Sequence, residues 1–479
     1  MNRTPEVVIV GAGSAGLAAL REVRKRTENF LIINDGPWGT LCARVGCMPS
    51  KLLIEAANAF HRRGTFGEFG IRGAERLSVD LAAVLGRVRR LRDRFVAGTL
   101  GATDSLGQRA ISGRARLLGP GRLEVNSQTI SARSIVLATG SRPVVPAGWQ
   151  GLGRGLLTTD TLFEQETLPA RIAVVGLGPI GVEMAQALSR LGIKIAAFGH
   201  ADGVAGLSDP KVNAVAKDLL GREFPLQLGA RAELADAVDG VLVRAGNGNV
   251  TVDAVLAALG RRPNVDGLGL ETLGVRLDQQ GMPQVDPNTQ QVADLPVFLS
   301  GDANGQVPLL HEAADEGHIA GLNACRMALS AGPPACFARR TPLTIVFAEP
   351  GIATVGQRFR ELDAASTLAG EVRFEDQGRA RAGQRNHGIL RLYADPHGGR
   401  LLGAEMCAPA AEHMAHLLAL AIDRALTVRE LLRLPFYHPV LEEGLRSALR
   451  ELAAQLPKSG ESDLESCGAF EAFGAEALD

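Results

Sequence analysis

Short apolar runs, glycine turns and helical stretches alternate along this chain. Glu6-Val-Val-Ile-Val reads as an apolar strand and runs directly into Gly11-Ala-Gly13-Ser-Ala-Gly16-Leu-Ala-Ala-Leu, a tight turn and a helix start. In such a turn the first glycine reverses the chain, the second admits a pyrophosphate close to the backbone, and the third lets helix and strand pack. A second strand, Phe30-Leu-Ile-Ile, ends at Asn34-Asp35, near the spacing at which an acidic side chain holds an adenosine ribose. Asn34 occupies that place by count and Asp35 is its neighbour, so either can supply the contact. The pattern recurs 165 residues later, where Arg171-Ile-Ala-Val-Val precedes Gly176-Leu-Gly178-Pro179-Ile180-Gly181. That interval holds a complete domain, and the chain is expected to carry two dinucleotide sites.

The remainder of the chain has a different rhythm. From Thr341-Pro-Leu-Thr-Ile-Val-Phe to Leu390-Arg-Leu-Tyr, with turn signals at Gly383 and Gly388, the pattern predicts strands. Ala410 to Leu426 reads as an apolar helix. From about Ser459 the chain is acidic and rich in small residues, the composition of a flexible tail.

Composition narrows the function classes. With 479 residues, 46% hydrophobic, and 57 glycines, the chain is long enough for three compact units with many tight turns. A formal net charge of −1 gives no electrostatic footprint for nucleic acid or for an anionic membrane. The apolar runs are too short to span a bilayer, and Met1-Asn-Arg-Thr-Pro leads into the first strand without the pattern of a signal peptide. A cytoplasmic, reducing location is expected, where a disulfide is more often catalytic than structural.

Chemistry enters with Cys42-Ala-Arg-Val-Gly-Cys47-Met-Pro-Ser-Lys51. In an ideal helix, residues five apart have Cα atoms about 8.7 Å apart, beyond the roughly 7 Å that a disulfide bridges. The segment must bend if the sulfurs are to join, and a strained disulfide is one that a thiol opens. Pro49 suits the first turn of a helix, which places Cys47 just before a helix N-terminus, where the local field favours a thiolate. The pair alone is also compatible with a structural staple or half of a metal site. Zinc would call for a second pair, whereas Cys325, Cys336, Cys407 and Cys467 are scattered singly, and no metal is expected.

Taken in order, these motifs resemble the flavin-dependent pyridine nucleotide-disulfide oxidoreductases, over about residues 5 to 450. Ala138-Thr139-Gly140-Ser141-Arg-Pro is similar to the turn where that family leaves its first flavin segment, and Ser300-Gly301-Asp302 to the strand end whose aspartate binds the ribityl chain. Leu256-Ala-Ala-Leu-Gly260-Arg261-Arg-Pro-Asn resembles the exit from the nicotinamide domain, and Phe436-Tyr-His438-Pro-Val-Leu-Glu-Glu443 resembles the C-terminal acid-base element. The resemblance implies an α/β fold with two Rossmann-like domains and a C-terminal α+β dimerisation domain. The expected divisions are 1–150 with 270–335 for FAD, 151–269 for NAD(P), 336–455 for the interface of a homodimer, and 456–479 for the tail.

The same resemblance assigns roles. Cys47 is the thiol nearest the flavin, Cys42 the interchange thiol that meets substrate, and Lys51, paired with Glu183, lies near the flavin. His438 is the general base, oriented by Glu443, and acts on the thiol pair of a second copy. Gly11, Gly13, Gly16, Asn34, Asp35, Lys51, Ala115, Thr139, Gly140, Ser141, Asp302 and His311 are the expected FAD contacts. Gly176, Gly178, Pro179, Ile180, Gly181, Gly199, Gly260 and Arg261 are those for NAD(P). Imidazole suits the proton transfers of thiol-disulfide exchange because it titrates near working pH.

Departures from the family pattern refine the expectation. Phe436 stands where a second histidine often appears, Pro49-Ser50-Lys51 is closer to the dihydrolipoamide type than to glutathione reductases, and retention of His438 argues against mercuric reductase. Cys467 is read as a bystander. The leading expectation is a dihydrolipoamide dehydrogenase acting on a small dithiol or a lipoyl domain. The alternative is an NAD(P)H-dependent reductase of another disulfide, a metal ion or a quinone, and a non-enzymatic redox sensor comes last. Counting 23 residues from Gly176, the place of the ribose-binding acid falls on Gly199, followed by His200, with no arginine cluster nearby. NAD is expected, NADP is not excluded, and Asp202 is the carboxylate that could substitute.

Overall fold

In the computed structural model, residues 4–458 are described, so the expectations about the acidic tail and Cys467 lie outside the described residues. The described residues form two compact units, one of residues 4–202 with 223–339, the other of residues 203–222 with 340–458.

The first unit is built twice on one plan. Strand Val7–Val10 lies in the middle of a five-stranded parallel sheet, between Phe30–Asn34 and Ser134–Leu137, with Ala110–Ser112 and Val297–Leu299 at the edges. Strand Arg171–Val175 lies in the middle of a second parallel sheet, between Lys194–Phe198 and Ala254–Ala257, with Leu226–Gln227 and Leu156–Leu157 outermost. Each repeat adds a three-stranded antiparallel meander, Arg116–Gly119 to Ser131 in the first and Glu233–Ala237 to Val252 in the second. Val7, Val8, Ile9, Ile172, Ala173 and Val174 are wholly buried, as strands covered on both faces require. Both glycine turns therefore stand at the carboxyl ends of central parallel strands, where open α/β sheets bind ligands.

Besides Ser14–Val23, which extends from the first glycine turn, three helices of this unit lie beside the motifs that carry chemistry. Cys47–His61 holds the second cysteine, Pro179–Arg190 extends from the second glycine turn, and Leu310–Leu329 comes after the Asp302 segment. Proline at its first position and Gly178 as N-cap start the 179–190 helix. Another helix, Leu81–Asp104, is not among the elements read from the sequence.

The second unit is a five-stranded antiparallel sheet in the order Leu343–Val346, Gly351–Gly356, Leu401–Ala408, Ile389–Ala394, Leu368–Arg373. The predicted apolar helix is present over Ala411–Asp423, and the strand Leu401–Ala408 before it was not anticipated. Alternation along a strand sends successive side chains to opposite faces. Leu390, Leu392, Ala404 and Met406 thus join the apolar core with Met414, Leu418, Leu445 and Leu449. Arg391, Tyr393 and Glu405 point the other way, to the segment Gly203–Arg222. There Tyr393 donates to Asp209 at 2.8 Å, Arg391 pairs with the same carboxylate, and Glu405 accepts from Ser208 N and Asp209 N at 2.8 and 2.9 Å. Those contacts explain why residues 203–222, inside the span expected for nicotinamide binding, cluster with the C-terminal sheet. Among the described residues no helix is long and apolar enough to cross a membrane.

Candidate active site

The two glycine turns match position by position. Gly11 has φ +107°, and a Cβ there would fall 2.1 Å from the Ala138 carbonyl oxygen; Gly176 has φ +100°, with Ala258 O at 2.2 Å. A Cβ on Gly16 or Gly181 would strike the carbonyl oxygen of the first glycine, at 1.9 and 1.8 Å. Gly13 and Gly178 meet nothing within 4 Å. Four of the six glycines are thus demanded by the protein's own packing, while the middle one of each turn faces open space into which a phosphate can come.

Around the first turn lies a cavity of about 390 Å³. It gathers the expected Gly11, Asn34, Asp35, Ala115 and Thr139. Asn34 Oδ1 accepts from Ala12 N at 3.0 Å and its amide donates to Gly36 O and Pro37 O at 3.2 and 3.3 Å, so this side chain braces the glycine turn. Arg142 and Asn264, which the sequence reading did not single out, also line the cavity. Arg142 donates to Asn264 Oδ1 at 2.9 Å, and Asn264 Nδ2 donates to Thr139 O at 3.1 Å. A signal for them exists, because Gly140-Ser-Arg-Pro is echoed by Gly260-Arg-Arg-Pro and the two pair as antiparallel strands.

Asp302 stands in the turn after strand Val297–Leu299, and its Oδ2 accepts from Ser141 Oγ at 2.5 Å. Arg261, expected at the nicotinamide, directs Nε to Ser141 Oγ at 2.9 Å and Nη2 to Ser141 O at 2.8 Å, with Asp160 at 3.3 Å. The Ser141 hydroxyl thus links Arg261 to Asp302. His311 is the second residue of helix Leu310–Leu329, half exposed. Gly140 and Gly260 both have positive φ and open space at the Cβ position.

The cysteine segment bends as the spacing requires. Cys42 lies on the single turn Leu41–Arg44, capped by Thr40 Oγ1 accepting from Ala43 N at 3.1 Å. Cys47 is itself the first residue of the next helix, one place further in than anticipated. Gly46 makes the bend, and a Cβ on it would lie 3.1 Å from Cys42 Cα. Both cysteines are free thiols. A hydrogen bond from the Cys42 thiol, assisted by the charge of Lys51, lowers the Cys47 pKa to about 7. Giving that hydrogen bond, together with burial, pushes the Cys42 thiol well up. Lys51, one turn after Cys47, donates to both oxygens of the buried Glu183, at 3.0 and 2.8 Å.

In the second unit His438 Nδ1 lies 3.0 Å from Glu443, the first residue of helix Glu443–Gln455. The hydrogen bond with His438 holds the Glu443 carboxyl below its ordinary pKa.

Residues 5–317 match the pyridine nucleotide-disulphide oxidoreductase family, and residues 343–449 match the dimerisation domain of the same family. The chain belongs to this family. It is an FAD-dependent oxidoreductase that uses a pyridine nucleotide, with a dimerisation domain at its C-terminal end. The chain is 29% identical over 467 residues to the dihydrolipoyl dehydrogenase of Thermus scotoductus, covering 95% of this chain and 98% of that one. It is also 29% identical to that of Geobacillus stearothermophilus, covering 91% and 94%. Among solved structures, LpdA from Mycobacterium tuberculosis superimposes with a TM-score of 0.80 at 27% identity, covering 93% of this chain and 99% of that one. A copper(II) complex of the HOCl-induced flavoprotein disulfide reductase RclA from Escherichia coli has a TM-score of 0.81 at 21% identity, covering 94% and 99%, a likeness of fold.

The residues fit the family's cofactors. The open Cβ positions of Gly13 and Gly178 leave one pyrophosphate berth in each repeat. Beside the first repeat, Thr139 Oγ1 and Ser300 Oγ are buried without a partner among the described protein groups. Buried hydroxyls of that kind await a polar ligand.

Proposed function

We propose that this protein is a dihydrolipoyl dehydrogenase that oxidises the two thiols of dihydrolipoamide, free or on a lipoyl domain, and delivers the electrons to NAD. The reading has it work as a cytoplasmic homodimer. The single observation that carries it is the geometry of the thiol pair: Cys42 on one turn and Cys47 at the start of the next helix, brought together by the bend at Gly46, with the Lys51–Glu183 pair one turn beyond Cys47. The relatives that align over nearly the whole chain support the choice of substrate.

In the exchange, a substrate thiolate attacks Sγ of Cys42 in the Cys42–Cys47 disulfide. That bond breaks, and Cys47 leaves as the thiolate that Lys51 and the helix N-terminus stabilise. The second substrate thiol gives its proton to His438 Nε2 of the second copy and attacks the substrate sulfur of the mixed disulfide, and Cys42 leaves, taking that proton from the imidazole. Substrate ends as the cyclic disulfide and the protein with Cys42 as thiol and Cys47 as thiolate. Glu443 keeps Nδ1 of His438 occupied, so that Nε2 is the nitrogen that handles the proton. When bound, FAD, with residues 1–150 and 270–335 as its domain, supplies the two-electron relay between the thiol pair and the nicotinamide. Gly11, Gly13, Gly16, Thr139, Gly140, Ser141 and Asp302 would hold the flavin nucleotide, and Gly176 to Gly181 the pyridine nucleotide within 151–269. NAD is favoured because no arginine cluster stands near Gly199 to pair with a 2′-phosphate.

The test is a substrate panel on purified, flavin-loaded protein with both nicotinamides. Reduction of NAD by dihydrolipoamide is the expected result. No turnover of dihydrolipoamide, with NAD(P)H consumed by another disulfide, a metal ion or a quinone, would replace this reading with a reductase.

A further inference from the structure

Two helices of the first unit are joined by a ladder of polar rungs. Lys51 and Glu183, the fifth residues of Cys47–His61 and Pro179–Arg190, form the first rung. The twelfth residues form a second: Arg190 Nη1 donates to Asn58 Oδ1 at 2.6 Å. Both rungs join residues 132 apart in the sequence. A constant difference, where antiparallel helices would give a constant sum, means that the two helices run parallel and in register. Seven residues are about two turns, so the rungs stand roughly 10.5 Å apart along the axes.

This alignment places two helix N-termini side by side, one beginning at Cys47 and the other at the second glycine turn. Two positive helix ends repel one another, and their joint field favours a thiolate between them. The arrangement needs a tether. Arg190 is anchored from behind, with Nε and Nη2 each 2.8 Å from Glu223, which Gln186 Nε2 also holds at 2.8 Å. Only 7% of the Arg190 surface is exposed. Its guanidinium presents a fixed donor to Asn58, which the flexible ammonium of Lys51 cannot do for Glu183.

We propose that Asn58 and Arg190 are positioning residues, whose rung locks the rotation and register of the thiol helix on the 179–190 helix and so fixes the distance of Lys51 from Cys47. The buried Leu53, Ile54 and Ala57 hold the helix in place, and one rung alone leaves it some freedom to pivot on that apolar contact. Two rungs a pair of turns apart remove that freedom. The groups facing Cys47 are Cys42 from the preceding turn, Lys51 from its own helix and Glu183 from the neighbouring one; Lys51 favours the thiolate and Glu183 opposes it. The two charges act on the thiol with opposite signs, so a pivot that moves one relative to the other changes its acidity. The inference rests on Cys47 being the thiolate of the exchange pair, and on no particular substrate.

The test is iodoacetamide alkylation of Cys47 in the reduced protein against pH, with the modified peptide located by mass spectrometry. Wild-type protein should show a midpoint near 7. Asn58→Ala, which leaves the Arg190–Glu223 pair intact and so spares the fold, should raise the midpoint by about 0.7 unit, a roughly threefold loss of thiolate at neutral pH. Arg190→Met should shift it in the same direction, and Asn58→Asp, able to pair with Arg190, should restore it. A midpoint in Asn58→Ala within about 0.2 unit of wild type overturns the proposal, whatever happens to the melting temperature and whether or not Arg190→Met folds. Because the readout needs no turnover, a shifted midpoint in a protein inactive on dihydrolipoamide would sink the proposed substrate and keep the rung.

Discussion

His438 and Glu443 face each other across one side of the imidazole: Nδ1 lies 3.0 Å from Oε1 and 3.2 Å from Oε2. Val440 N donates to Oε2 at 3.2 Å, which fixes the carboxylate from the backbone. The histidine side chain is otherwise 80% exposed, so no described residue of this unit confines its other nitrogen. The pair is a proton-handling group facing outward.

His438→Ala should therefore lower the dithiol-disulfide exchange step by about 100-fold or more, the share of a positioned acid-base group. Hydride exchange between nicotinamides, which moves no thiol proton, should change little. Glu443→Gln should show an intermediate loss. The Glu443 carboxyl is more acidic in the folded protein than in the unfolded chain. Its orienting role is therefore complete above the ordinary carboxylate value of about 4.3 and disappears only as pH falls through the lower folded value. Stopped-flow measurement of the two half-reactions separates these outcomes, and equal losses in both would make His438 a structural residue.

The thiol pair yields a prediction of opposite behaviour in two variants. Cys47 is acidified first of all by the hydrogen bond from Cys42, so its reactivity should rise as pH climbs through about 7. In flavin-loaded protein, Cys42→Ser leaves the Cys47 sulfur unable to form a disulfide. A long-wavelength thiolate-to-flavin absorbance should then be present without reductant. Cys47→Ser should abolish that absorbance under all conditions. Identical spectra from the two variants would mean that the roles assigned to the thiols are wrong.

What was legible in the sequence was local. The glycine turns, the bend between Cys42 and Cys47 and the helix start that Pro49 marks depend on residues within a few positions of one another, and the strands Phe30–Asn34 and Arg171–Val175 lie where short apolar runs put them. Helix Leu81–Asp104 also carried a local mark, the cap of Asp80 on Ala83 N at 2.9 Å, and went unread because its charged face obscures the apolar stripe. Other features had no local mark. Asp209 meets Tyr393 across 184 residues, so each is ordinary in its own neighbourhood and acquires meaning only when the helix of Pro210–Gly221 is set against the C-terminal sheet. Arg261 was legible as part of a motif, yet its direction toward Ser141 depends on the antiparallel pairing of two such motifs.

The middle glycines separate cofactor binding from folding. Gly13→Val adds a side chain where the protein itself leaves open space, so the apoprotein should keep its melting temperature within a degree or two while purifying with little flavin. Gly178→Val should retain flavin and raise the KM for nicotinamide. Gly11→Ala should do what neither does and lower the melting temperature, because its Cβ meets the Ala138 carbonyl at 2.1 Å in a left-handed backbone. Flavin-to-protein absorbance ratios and thermal melts decide the matter. Full flavin occupancy in Gly13→Val would move the pyrophosphate to another turn.

Nicotinamide selectivity is where this chain departs furthest from a committed site. At the end of strand Lys194–Phe198, Gly199 donates its N–H to Gln227 O at 2.8 Å, and a Cβ there would meet Leu228 Cδ2 at 2.8 Å and Leu177 Cδ1 at 3.5 Å. The place of the ribose-reading side chain is thus walled by leucines. A charge-assisted hydrogen bond contributes about 1.5 to 3 kcal/mol, and without one the NAD/NADP preference should be compressed to roughly tenfold. Gly199→Glu should raise the preference for NAD, since the carboxylate both accepts from the ribose hydroxyls and repels a 2′-phosphate. The obstacle at 2.8 Å is the tip of a flexible leucine, which can move aside. Asp202, whose Oδ1 would lie 2.9 Å from a Cβ on Gly229, is turned toward that glycine. Comparison of kcat/KM for the two nicotinamides in wild type and variant is the measurement. A wild-type preference above roughly a thousandfold exceeds what one such contact explains and would transfer the reading role to Asp202 or His200.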